Sequence, residues 1–140
     1  MSILHKKDDQ GIIRTYNSGR VSLHEFYQSV VALGRLTENS DEVWQLVIME
    51  DDVVFEKDEL RTMRIVHLAK ETIQFKKRGA IAFVAPTRES MMTCLRMSKM
   101  LRGESVPVTT FEHKSDAVAW LRAHRRDARK HRTSQHVAGL

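Results

Sequence analysis

The chain has 140 residues, 41% of them hydrophobic and 29% charged, with a single cysteine. A domain of that length buries roughly 68–70% of the surface its unfolded chain exposes, so it needs neither disulfide nor metal to fold. Cys94 has no second cysteine to pair with, which suits a reducing compartment. No apolar run approaches the roughly 18 residues of a membrane span, and Met1–Lys7 lacks the apolar centre of a signal peptide, so a soluble, cytoplasmic protein is expected.

The formal net charge is +5 and the isoelectric point is near 9.6. Six of the 23 basic residues lie between Arg122 and Arg132, against one acid, Asp127. The remaining 17 basic and 17 acidic residues balance, so the high isoelectric point belongs to the end of the chain. The sequence divides into one domain, residues 1–126, and a basic tail, 127–140, expected to be flexible.

In chain order, Ile3–Lys7 and Ile12–Tyr16 read as two strands joined by the polar turn Asp8–Gly11, an N-terminal hairpin. Ser22 and Glu25 have the spacing of a reciprocal capping box, opening a helix with Leu23, Phe26, Val30 and Leu33 on its apolar stripe. Trp44–Met49 is the next strand and leads into Glu50-Asp51-Asp52. A long helix is expected from about Asp58, with Leu60, Met63, Val66, Ala69 and Ile73 buried. Lys76, Lys77 and Arg78 would fill its last turn and Gly79 would end it.

Ala80–Ala85 has no polar position, so both of its faces must be covered, which places it inside a sheet. Thr87 then caps a helix with Met91, Met92, Leu95 and Leu101. Val106–Phe111 forms a strand, and Ser115 caps a closing helix through Leu121. The order ββαβαβαβα gives an α/β fold: five strands, parallel beyond the first hairpin, with four helices.

The run Ala80–Pro86, then Leu95-Arg96-Met97, Val106–Phe111 and Asp116–Leu121, together resemble the STAS fold of anti-sigma-factor antagonists. They are most similar to its uncharacterised SpoIIAA-like branch, also described as CRAL-TRIO-like. The resemblance spans most of residues 10–122 and implies a regulatory or ligand-binding module of bacterial type. Antagonists of that family are switched by phosphorylation of a Ser or Thr just after the third strand. Here that stretch is Glu50-Asp51-Asp52-Val53-Val54, and no Ser or Thr occurs from Asp41 through Arg61, so the phospho-switch does not carry over.

Several surfaces remain as candidates. Glu50, Asp51 and Asp52, with Thr87 and Arg88 on the following strand-end loop, could hold a small polar ligand in a crevice beyond the strand ends. The three carboxylates could also hold a divalent cation in a metal-dependent enzyme, or one of them could pair with Arg88 or cap the loop. Met92, Met97 and Met100 suit an adaptable apolar contact, whether with a protein partner, an apolar ligand or a second copy, or ordinary core filling. Arg122, Arg125, Arg126 and Arg129 share one helix face and could meet an anionic surface, or simply form a solvated helix end. Nucleic acid is not the expected partner, because no aromatic residue follows Trp120 to stack on a base.

No catalytic motif, resident metal or cofactor is expected. The seven histidines form no His-x-x-x-His pair and read as scattered surface residues, and Cys94 has no neighbouring histidine to activate it. Leu46–Asp52 superficially resembles the start of a receiver domain, but the later strands lack that family's aspartate and lysine.

Overall fold

The computed structural model describes residues 2–103 and 105–138, with side chains described through residue 130. Strands β1 (Ile3–Lys7) and β2 (Ile13–Asn17) form the expected antiparallel hairpin. Beyond it, β4 (Glu42–Met49), β6 (Arg78–Val84) and β7 (Val108–Phe111) extend a parallel sheet in the order β1-β2-β4-β6-β7. Two short strands, β3 (Arg20–Val21) and β5 (Val54–Phe55), pair separately as a parallel ribbon. The helices are α1 (Leu23–Thr37), α2 (Glu59–Ile73), α3 (Arg88–Leu101) and α4 (Lys114–Ala138). Glycine at position 11, with φ of 81°, makes the hairpin turn.

The strand order follows the chain without reversal. Right-handed crossovers taken in one direction all fall on one face, so α1, α2 and α3 form a single layer. Alternation along the strands then separates two cores. Val43, Val47, Ile81 and Phe83 point to that layer, where Val66, Ile73, Cys94, Met97 and Leu101 meet them. Trp44, Leu46, Ala80, Ala82 and Val84 point to the other face, covered by Ala117 and Leu121 of α4. Ala80 and Ala82, both fully buried, let α4 approach the sheet closely. The apolar segment around Phe83 (4% exposed) therefore lies between helices inside the sheet, with β4 and β7 on its flanks.

Buried polar groups are tied into the sheet. Gln45 (5% exposed) donates from Nε2 to Thr15 Oγ1 at 2.9 Å. That leaves the Thr15 hydroxyl proton for His5 Nδ1 at 2.7 Å, which assigns the other ring proton to Nε2, 3.1 Å from the Ser29 carbonyl. His5 is thus a structural link from α1 across β1 and β2 to β4, not a scattered surface residue. Burial lowers its pKa, with the Ser29 backbone acting in the opposite sense.

Four local expectations are corrected. Helix α2 ends at Ile73, and Arg78 and Gly79 belong to β6. Gly79 is required by contact: a Cβ there would lie 2.0 Å from the Val43 carbonyl oxygen of β4. Lys76 is 8% exposed rather than solvated; its ammonium donates to the carbonyls of Thr37 and Ser40, beyond which α1 has ended. On α2, Leu60 and Met63 are exposed and Ile65 is buried, because the helix packs on α1 through Ile65 and Leu68 as well as on the sheet. Ser115 lies within the first turn of α4, whose Ala117 N–H reaches the His113 carbonyl, so it does not cap that helix.

The expected start of a flexible tail at residue 127 falls within α4, which runs on to Ala138. The side chains from residue 131 and the last two residues lie outside those described.

Candidate functional site

The acidic turn sits at the carboxyl end of β4, and the Pro86–Arg88 loop follows the neighbouring strand β6. The turn is stitched to the β2–α1 loop. Glu50 N–H donates to the Asn17 carbonyl (2.9 Å), Gly19 N–H donates to Asp52 Oδ1 (3.1 Å), and Val54 N–H donates to the Gly19 carbonyl (2.8 Å). Asp52 is therefore a loop cap, one of the alternatives open from the sequence. Thr87 is the N-cap of α3: its hydroxyl accepts from Ser90 N–H at 3.1 Å, and Ser90 Oγ accepts from Thr87 N–H.

Among the described residues, Glu50–Asp52 share no hydrogen bond or ion pair with Thr87 or Arg88, and no group of three His, Cys, Asp or Glu side chains is arranged to hold a metal ion. A strand-end crevice in an open α/β sheet forms where neighbouring crossovers leave on opposite faces. With all three crossovers on one face, this sheet has no such point. Glu56 was not anticipated: its Oε2 accepts the Leu23 N–H at 2.8 Å, serving the start of α1 beside Ser22. No local pattern announces it, since its partner lies 33 residues away.

The methionines divide. Met97 is 6% exposed and belongs to the core, and Met100 is partly buried against it. Met97 is thus removed from any contact surface. Met92 (54%) and Leu95 (45%) are exposed on α3, as are Leu60 (62%) and Met63 (50%) on α2. The two helices are bridged by Arg96 Nη1 and Glu59 Oε1 at 3.8 Å. Met63 lies one turn beyond Glu59 and Met92 one turn before Arg96, so both flank the bridge. Cys94 is fully buried, and that burial pushes its pKa up to about 12, far from a reactive thiolate.

The arginines of α4 come together. Arg122, Arg125, Arg126 and Arg129 line a hollow of about 450 Å³ with Ala119 and with Gln10 from the hairpin turn. A second hollow of about 250 Å³ adjoins it, lined by Arg125, Arg129, Ala128, Trp44 and Glu42. Both lie toward the amino end of β4, away from the strand-end loops. Arg125 rests against the turn: its Nη2 would be 3.4 Å from a Cβ at Gly11. Burial and the neighbouring Arg129 lower the Arg125 pKa, opposed by Asp8 and Glu42. Those carboxylates also serve Arg14 (3.5 Å to Asp8) and Arg78 (3.4 Å to Glu42).

No protein-family model matches the sequence, and no curated protein matches it. Among solved structures, the chain is similar to an uncharacterized protein of the DUF3478 family with a SpoIIAA-like fold from Shewanella loihica. The similarity covers 85% of this chain and 91% of that one, with a TM-score of 0.59 and 12% sequence identity. At that identity the likeness is one of architecture: the chain has a SpoIIAA-like fold, an α/β sheet parallel except for its first pair, carrying four helices.

Proposed function

We propose that the protein is a non-enzymatic regulatory module of STAS-like type that docks through the outer faces of α2 and α3 onto a protein partner presenting an acidic and apolar surface. The observation that carries this reading is the joint exposure of Leu60, Met63, Met92 and Leu95 on two bridged helices. Single exposed apolar residues are ordinary, but a group of them rimmed by charge marks an interaction surface. Thioether side chains adapt to varied partner shapes.

The rim favours an unlike partner over a second copy. Arg61, Arg64, Lys70, Arg88, Arg96 and Lys99 are exposed on these helices against Glu59, Glu71 and Glu89, and a two-fold contact would set like charges face to face. Regulation through a phosphorylated hydroxyl at the acidic turn is not part of this reading, since residues 50–54 offer no acceptor. A cytoplasmic setting agrees with the single thiol, Cys94.

The test uses Met63→Glu combined with Met92→Glu, both at exposed sites. A partner recovered with the wild type, purified and titrated back should bind at least about tenfold more weakly to the variant, as for loss of central apolar anchors. Sedimentation of the free wild type should give a monomer. Equal affinity of the variant, or a dimer abolished by the substitutions, would refute the proposal.

A further inference from the structure

The arginine hollow on α4 lies on the opposite side of the sheet from α2 and α3, and it stands independently of the docking face. Two explanations for its charge fail. Basic residues in the last turn of a helix are stabilised by the helix dipole, but that effect fades within one turn. Helix α4 runs from Lys114 to Ala138, so Arg122–Arg129 occupy its middle. Nor does the spacing help the helix: 122–125, 122–126, 125–129 and 126–129 are all like-charge pairs at three or four residues, which are destabilising.

Among the described residues, Arg122, Arg125 and Arg126 form no ion pair within 4 Å, and the carboxylates nearest Arg125 have other partners. Asp8 is engaged by Arg14 and by the backbone N–H groups of Gln10 and Ile12, and Glu42 is engaged by Arg78. Among the described residues, no acid lines the larger hollow. Guanidinium groups bind phosphate through paired, charge-assisted hydrogen bonds, and a hollow of about 450 Å³ falls in the range of small-ligand sites. The hollow is also walled on one side by the backbone of the Gly11 turn, against which Arg125 is held.

We infer that the hollow between α4 and the Asp8–Gly11 turn binds a multiply charged phosphate group, with Arg122, Arg125 and Arg126 as its principal donors. The phosphate belongs either to a soluble phosphorylated small molecule or to the headgroup of an anionic lipid.

The experiment titrates the full chain with inorganic pyrophosphate at low ionic strength, followed by tryptophan fluorescence, since Trp44 lines the adjoining hollow. A parallel arm sediments the protein with phosphatidylglycerol vesicles, with pure phosphatidylcholine as control. The variant is Arg122→Gln with Arg126→Gln, two exposed positions whose replacement leaves the buried face of α4 intact. Loss of one charge-assisted hydrogen bond weakens binding about tenfold, so the double variant should bind about a hundredfold more weakly. Saturable pyrophosphate binding that is lost in the variant identifies a soluble phosphate ligand. Binding confined to phosphatidylglycerol vesicles and lost in the variant identifies the headgroup. No binding in either arm at millimolar pyrophosphate, or equal binding by the folded variant, would overturn the inference.

Discussion

Replacing Lys76 by Met isolates one buried ammonium that joins two helix ends. The Lys76 side chain crosses from the end of α2 to the carbonyls of Thr37 and Ser40, where α1 terminates and its last carbonyls lack helical partners. Met keeps most of the apolar stem, so the change removes the donor and little packing. Hydrogen bonds from a charged donor contribute about 1.5–3 kcal/mol each. Thr37 is 5% exposed, so its carbonyl would be left with the Ser40 N–H (3.1 Å) as its remaining donor, whereas Ser40 is exposed and its carbonyl rehydrates.

The expected loss is therefore about 3 kcal/mol, the bottom of the summed range of about 3–6 kcal/mol, since both carbonyls keep another partner or meet water. For a domain of this length that is a fall in Tm of about 10 °C. Urea denaturation should show a lower midpoint with an unchanged slope. Lys77→Met, at an exposed neighbouring position, should stay within about 0.5 kcal/mol. If Lys76→Met is as mild as Lys77→Met, the two carbonyl contacts contribute nothing and the reasoning fails.

Two further outcomes follow from the same kind of argument. Gly79→Ala places a methyl 2.0 Å from the Val43 carbonyl oxygen, so β4 and β6 must part at their start; a loss of about 3 kcal/mol or more is expected by denaturation, and a neutral result would contradict that close approach. His5 is held below its ordinary pKa of 6.5, so the folded state binds fewer protons than the unfolded chain. Its contribution is complete above pH 6.5 and falls away as pH drops toward the lowered folded value. His5→Gln should then lose less stability than the wild type between about pH 7.5 and pH 5, measured by urea midpoints; an equal loss would show that the ring is freely solvated.

How much was legible in the sequence varied with the range of the cause. The helix starts after Ser22 and Thr87 are set by hydroxyl caps on nearby N–H groups and appear where the local pattern places them, with only the Ser22 half of the expected Ser22–Glu25 box formed. Asp58, expected in a first turn, is instead the cap of its helix. The run Ala80–Ala85 announced a doubly covered strand because any exposed face would carry polar residues. Gly79 misled because glycine after three basic residues is a common helix ending, while its actual constraint is a carbonyl on a strand 36 residues earlier. Likewise Leu60 and Met63 fit a helical stripe, but α1 draws Ile65 and Leu68 inward and rotates the buried face.

The candidate sites show the same division. Composition alone isolated the arginines at the end of the chain, and helical spacing put them on one face. That they line a hollow against the Asp8–Gly11 turn depends on α4 folding back across the sheet, a contact between segments more than a hundred residues apart. That all three crossovers leave on one face is likewise a property of strand order, which periodicity does not encode. Hydrophobic period and capping act over a few residues and are written in the chain; which surfaces meet is settled by packing all the elements at once.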